Sequence, residues 1–237
     1  MKIFKRKAIT LLAGLLLLAG IAFGTVSVSA ATLPLLDYSQ VNYTKNLSLP
    51  MTNHTWRIHF TNLNKAKSAT VSSSDTSVAE AVAYNASLKS GCIYVSPHKK
   101  GKTKVNVKYS YVNSSGTTIN KNYTVNLTVY GWTNPLSKAK VGKTDHVSKF
   151  ARTNFAFNVK LCIGKAMVNI VPKTGWTIKG VYLQGLRKSG SSYAYVTEKI
   201  PNKKVYNFAR YIMRPDLYTV VYNAQKNMTL TLLLAGE

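Results

Sequence analysis

Seven carboxylates are all the acid–base material of this kind that the chain carries: Asp37, Asp75, Glu80, Asp145, Glu198, Asp216 and Glu237. No two share a short stretch with alternating apolar neighbours, the pattern that sets a carboxylate pair side by side on one strand. Any such pair has to be assembled by the fold. The four histidines, His54, His59, His98 and His146, show no His-x-His spacing, and no Cys-x-x-Cys occurs, which argues against a zinc site. His54 and His59 are five apart on a strand-like run and therefore point to opposite faces. Neither a Gly-x-Ser-x-Gly elbow nor a Gly-x-x-x-x-Gly-Lys-Ser/Thr phosphate loop is present. Cys162 and His146 can be drawn as nucleophile and base, but an isolated Cys and an isolated His coincide far more often than they form a dyad. The expectation is a protein that is not an enzyme, with no cofactor and no metal.

Basic residues interleaved with aromatics are the stronger lead. Trp176, Lys179, Tyr182, Arg187, Lys188, Tyr193 and Tyr195 fall in one hairpin region, and Lys203, Lys204, Tyr206, Arg210, Tyr211 and Arg214 follow. Aromatic faces stack on sugars or bases, and guanidinium groups pair with phosphate or carboxylate. The same pattern also reads as core: Trp176 and alternate tyrosines inside, lysines on the wet face. Lys99, Lys100, Lys102 and Lys104 form a second basic run on a turn. The binding candidates are Trp176, Lys179, Tyr182, Arg187, Lys188, Arg210, Arg214, Lys99 and Lys100.

Charge supports a binding role. The chain holds 32 basic and 7 acidic residues, a formal net charge of +25. Both halves are basic, so the field favours polyanions: an anionic cell-wall polymer or glycan first, nucleic acid second. Surface proteins are a further class of partner, and a soluble, lysine-rich chain with no polyanion ligand is the plain alternative.

The elements that must position these residues begin after a leader. Lys2, Lys5, Arg6 and Lys7 precede an apolar run from Ala8 to Phe23, and small residues at Val28 and Ala30 place a cleavage site after Ala30. Residues 1–30 therefore read as a signal peptide. Cleavage leaves no stable membrane span, and the protein is expected to be secreted or cell-surface associated. An uncleaved anchor is the alternative. Beyond the leader, strand signals dominate. Trp56, Ile58 and Phe60 alternate with Arg57 and His59. Val105, Val107, Tyr109 and Tyr111 alternate with Lys104, Asn106, Lys108 and Ser110. Val125, Leu127 and Val129 alternate with Thr124, Asn126 and Thr128. Asn113-Ser-Ser-Gly116 joins the last two runs as a hairpin. Gly131-Trp-Thr-Asn-Pro135 reads as the junction between domains spanning 31–131 and 136–237, with 132–135 the linker. In the second half Phe155, Phe157, Val159, Leu161 and Ile163 are expected to share one face, Gly180 to mark a bulge, and Met228, Leu230, Leu232 and Leu234 to face the core. Cys92 and Cys162, one per half, are expected to be unpaired, packed as small hydrophobes; an exterior location would also permit a bridge. Many short strands with regular turns point to β-sandwiches.

Residues 70–129 resemble the bacterial Ig-like domain, group 2. The residues that carry the resemblance are Ser74-Asp-Thr-Ser-Val-Ala-Glu-Ala-Val82, Gly91-Cys-Ile-Tyr-Val95, Lys99-Lys-Gly-Lys-Thr-Lys-Val-Asn-Val107 and Tyr123-Thr-Val-Asn-Leu-Thr-Val129. Asp75 is suited to bond backbone amides in a bend, and Gly91 and Gly101 to backbone turns closed to other residues. Cys92 and the long hairpin from Tyr109 to Thr124 depart from the family pattern. The resemblance implies surface display: adhesion, spacing or glycan contact. The second half carries no such motif set and is sandwich-like by strand pattern alone. The fold class expected is all-β, two immunoglobulin-like β-sandwich domains after an N-terminal signal peptide. The function expected is non-catalytic adhesion, scaffolding or binding at the bacterial cell wall, or polyanion binding through the basic, aromatic C-terminal domain.

Overall fold

Period-two alternation sets the strands. The computed structural model describes residues 36–84, 88–161, 164–189 and 191–236. The signal peptide expected at 1–30 therefore lies outside the described residues. The first half forms β1 (Gln40–Asn42), β2 (Asn46–Met51), β3 (Trp56–His59), β4 (Ala69–Ser73), β5 (Ala79–Val82), β6 (Cys92–Pro97), β7 (Gly101–Val112) and β8 (Thr118–Gly131). The second half forms β9 (Leu136–Val141), β10 (Thr144–Asp145), β11 (Phe155–Val159), β12 (Lys165–Pro172), β13 (Trp176–Ser189), β14 (Ser192–Ile200), β15 (Lys204–Asn207), β16 (Asp216–Asn223) and β17 (Met228–Gly236). The protein is all-β. Its sheets run β1-β3-β6-β5, β2-β8-β7-β4, β10-β9-β12-β15 and β11-β17-β16-β13-β14. Among the described residues no helix is long and apolar enough to cross a membrane.

The two halves share an arrangement. In each, an early strand pairs in parallel with the last one: β2 with β8, through Leu47 opposite Leu127, and β11 with β17, through Phe155 opposite Leu233. The inner faces are the apolar alternates. Ile58 on β3, Ile93 on β6, Val107 on β7 and Leu127 on β8 belong to one buried cluster. Each such side chain contributes roughly 1.5–3 kcal/mol relative to exposure. The same cluster continues into the second half through Val168, Leu183 and Leu230. The strand with Met228, Leu230, Leu232 and Leu234 packs them inward as expected, all buried. Its other face is covered too, because Leu233 packs with Tyr182, Tyr218 and Val220 beneath Tyr38 and Phe155.

Specific contacts tie the halves at 132–135. The Trp132 indole donates to Phe150 O at 3.0 Å, the Asn134 amide donates to Val147 O at 3.0 Å, and Leu136 N donates back to Asn134 Oδ1 at 2.9 Å. Farther away, Ser48 Oγ donates to Lys226 O at 2.6 Å, and the Lys226 ammonium stands 5.1 Å from the Tyr130 ring.

Three local expectations are corrected. Phe155, Phe157, Val159 and Leu161 do not share one face, and Ile163 lies outside the described residues: Phe155 packs with the outer cluster of Leu233 and Tyr38, and Val159 and Leu161 join the main core. The register with β17 shifts between Ala156 and Val159, Asn158 takes φ +54°, and Phe157, 54% exposed, stays beside Phe155 with ring centroids 5.1 Å apart. A bulge of this kind inserts one residue and reverses the alternation beyond it. Gly101 does not occupy a left-handed turn. Its role is close approach: a Cβ there would lie 2.9 Å from Val78 Cγ2. Gly91 does take φ +72°, as expected. His54 precedes β3 and turns toward the second half, so it and His59 are not on one strand. The Gly180 bulge is present, as a register shift between Ile178 and Gly180.

Candidate binding surfaces

The C-terminal candidates do not converge. Trp176 opens β13 and Tyr182 lies on its opposite face, and both are buried, so neither ring offers a face to a ligand. Lys179 is exposed, with its ammonium 5.0 Å from the Tyr222 ring. Arg187 points the same way as Val181 and Leu183 and is occupied. It pairs with Glu198 at 3.2 Å, and its guanidinium is 6.0 Å from the Tyr211 ring. The Tyr211 hydroxyl donates to the same Glu198 oxygen at 2.6 Å. Burial alone would raise the Glu198 carboxyl. Hydrogen bonds from Tyr206 and Tyr211, with the charges of Arg187 and Arg210, outweigh it and hold the group below its ordinary value. Burial and the Glu198 hydrogen bond push the Tyr211 hydroxyl well up. This network joins β13, β14 and the segment around Tyr211 in the second half. Lys188 and Arg210 are exposed, and Arg214 is half-buried with its carbonyl against Gly236. What β13 and β14 do present outward is Tyr193 and Tyr195, both more than 60% exposed, with Lys188 opposite Tyr193 and Lys199 farther along β14.

The N-terminal half places its lysines in order. Lys99 and Lys100 are exposed on the β6–β7 turn. From there the outward positions of β7 are Lys102, Lys104, Asn106, Lys108 and Ser110. Their partners on β8 are Thr128, Asn126, Thr124, Asn122 and Asn120. The result is a lysine column beside an amide and hydroxyl column, with a repeat of about 6.8 Å set by the strand rise. The polar groups are cross-linked: Thr124 Oγ1 donates to Asn106 Oδ1 at 2.9 Å, and the Asn126 amide donates to Asn46 Oδ1 at 2.8 Å. The strands β2, β8, β7 and β4 contain no Asp or Glu. Among the described residues Lys102, Lys104 and Lys108 have no carboxylate partner. A depression of about 540 Å³ is lined by Ser74, Lys102, Lys104, Asn126 and Thr128. A second, of about 240 Å³, adjoins it through Lys102, Asn126 and Thr128 and reaches Asn46 and Asn227. The alternation Lys102, Lys104, Lys108 is visible in the sequence. Its partner column is not, because the register across the Asn113–Gly116 turn decides which β8 residues stand opposite.

The remaining titratable groups are scattered. Among the described residues no three His, Cys, Asp or Glu side chains form a group able to hold a metal. Cys92 is buried and free, and burial raises its thiol. Cys162 lies outside the described residues, and with it the pairing with His146. His146 is 5% exposed and its Nε2 has no hydrogen-bond partner. Burial lowers its imidazole, Asp145 opposes the shift, and Lys149 adds to it. Asp75 behaves as its position suggests, accepting from Ser77 N at 3.0 Å and Ser77 Oγ at 2.7 Å.

No family model matches the chain, and no curated protein matches it. Among solved structures it is similar to domains 5–6 of the S-layer protein SbsC, at 13% identity and a TM-score of 0.28, covering 81% of this chain and 94% of that one. It is similar to domains 4–9 of the surface layer protein SbsC at 12% identity and a TM-score of 0.27, covering 82% of this chain. For domains 1–6 the values are 12% and 0.29, covering 80% of this chain. The chain spans 30% and 24% of the length of those two longer structures. Similarity of this size says nothing of ligand or activity.

Chemically, the β7–β8 face offers ammonium groups for phosphate or carboxylate and hydroxyl and amide groups for the hydroxyls of a polymer backbone. It has no arginine fork and no exposed aromatic ring between its lysines, so it is a poor platform for stacking bases.

Proposed function

We propose that this chain is an exported, non-catalytic bacterial surface protein, built from two immunoglobulin-like modules, that holds an anionic cell-wall polymer. The observation that carries this reading is the lysine column of β7 beside the amide and hydroxyl column of β8, on a sheet without a carboxylate. The resemblance of residues 70–129 to the bacterial Ig-like domain and the parallel pairing of β2 with β8 support the modular part of the reading. The net charge of +25 supports the polymer. The test is sedimentation with purified Gram-positive walls, before and after chemical removal of their phosphodiester polymers. The protein should co-sediment with intact walls, elute as salt rises, and bind stripped walls far more weakly. Equal retention on stripped walls would overturn the assignment.

A second reading places a polyanion site on the C-terminal half. Exposed Tyr193 and Tyr195, with Lys188 opposite Tyr193 and Lys199 farther along the same strand, are what favours it. Under that reading, loss of Lys188 and Lys199 abolishes binding and loss of the β7 lysines does not.

A further inference from the structure

The opposite face of the N-terminal half carries a different chemistry. The outward positions of β5, β6 and the residue before β3 enclose a hollow of about 270 Å³ lined by Thr55, Glu80, Val82, Tyr84, Tyr94 and Ser96. Strand register assembles it: Glu80 stands opposite Ser96, and Val82 opposite Tyr94. Tyr84, 60% exposed, continues the same row beyond β5, and its ring lies 5.8 Å from that of Tyr94 at an interplanar angle of 52°. Two tilted aromatic faces therefore bound a space whose rim is polar. On that rim Thr55 Oγ1 and Ser96 Oγ are hydrogen-bonded at 3.0 Å, and the exposed Glu80 carboxylate lies 3.9 Å from His98 Nε2.

We propose that this hollow binds a single unit of a neutral glycan, a hexopyranose or N-acetylhexosamine. Aromatic faces pack against the C–H face of a pyranose. A carboxylate and two hydroxyls supply the directional acceptors and donors that fix its hydroxyls. The hollow does not suit an anion: its one charged lining group is Glu80, and the neighbouring Arg57 is already paired with Asp37 and hydrogen-bonded to Ser39. The protein would then contact an anionic polymer on one face and an uncharged sugar chain on the other. The sugar site stands independently of the lysine column.

The probe is the N-acetylglucosamine trisaccharide, titrated into the protein while the tyrosine ring signals are followed by NMR. Shifts should concentrate on Tyr84 and Tyr94 and should not change with ionic strength. Tyr84→Ala and Glu80→Gln alter exposed side chains, so both should keep the parent melting temperature while weakening binding about fivefold to tenfold. A variant lacking Lys102, Lys104 and Lys108 should keep sugar binding, which separates this site from the polymer face. Absence of ring shifts at millimolar sugar, or unchanged affinity in folded Tyr84→Ala, would overturn the proposal.

Discussion

His54 donates from Nε2 to Oδ1 of Asn154 at 2.8 Å, joining positions 100 residues apart. The donor is fixed by the other side of the amide. Asn154 Nδ2 donates to Tyr38 O at 2.6 Å and to Thr231 O at 2.9 Å, so Oδ1 faces the imidazole and Nε2 is the donor, while Nδ1 lies 3.2 Å from Thr55 O. Asn154 is fully buried, and its own carbonyl accepts from Leu233 N at 2.9 Å. One amide thus pins the chain entering β1, the segment before β3, and β17. Asn154→Ala takes a donor from one buried carbonyl and one half-buried carbonyl, and an acceptor from the imidazole. It should cost about 3 kcal/mol by urea unfolding, and His54→Ala, on the wetter side, about 1 kcal/mol. A loss under about 0.5 kcal/mol for Asn154→Ala would place it among neutral surface changes and contradict the clamp.

The Glu198 network predicts an acid-sensitive region in the second half. The folded carboxyl is held below its ordinary value of 4.5, so its contribution is full above that pH and is lost as pH falls through the lower folded value. Glu198→Gln removes the ion pair with Arg187 and weakens the bond from Tyr211. It should lower stability by about 2 kcal/mol at neutral pH and flatten the acid limb of the stability profile. Parallel acid limbs for parent and variant would mean that Glu198 does not titrate with unfolding.

Gly101→Ala tests close approach against turn conformation. Since φ at this position is not in the left-handed region, the cost comes from the Val78 contact at 2.9 Å. A loss of about 1–2 kcal/mol is expected. The double variant with Val78→Ala should recover part of it, which a backbone penalty would not allow.

The fold was more legible in the sequence than the surfaces. Alternation alone placed β3, β7, β8 and β17, because one side of each strand is apolar and the turns at Asn113–Gly116 and Asn223–Asn227 carry their own chemistry. It failed after Phe157, where a single irregular residue, Asn158, sends Val159 to the face opposite Phe155 and nothing in composition marks it. Binding residues were harder. Trp176, Tyr182 and Arg187 are interleaved in sequence as they would be on a basic aromatic face. Strand geometry sends Tyr182 to one side of β13 and Arg187 to the other, and a lone acid, Glu198, sequesters the arginine. The Glu80, Val82, Tyr84 row and the Tyr94, Ser96 row were not singled out from the sequence, because only the register of β5 on β6 shows that they enclose one space.

His146 gives a pH prediction of its own. Burial holds its folded imidazole below the ordinary 6.5, so the unfolded chain takes up a proton first as pH falls. The neutral ring therefore contributes full stability above 6.5, and that contribution is lost between 6.5 and the lower folded value. His146→Leu also relieves the unpartnered Nε2. It should match or exceed the parent near pH 7.5 and lose less stability on titration to pH 5.5. A steeper loss in the variant would reverse the sign of the argument.

The lysine column makes the sharpest quantitative demand. If Lys102, Lys104 and Lys108 each neutralise one charge of a flexible polymer, each releases counterions on binding. The slope of log affinity against log salt should then fall by about two when all three become serine, at roughly 0.7 per contact. Replacing Lys179, Lys188 and Lys199 with serine removes the same formal charge from β13 and β14 and should weaken binding only through the general field, leaving the slope nearly unchanged. All six lysines are exposed and make no carboxylate pair among the described residues, so both triple variants should fold. Equal slopes for the two variants would show that binding reads net charge and that the β7–β8 register has no part in it. A loss confined to the second variant would transfer the site to the C-terminal half.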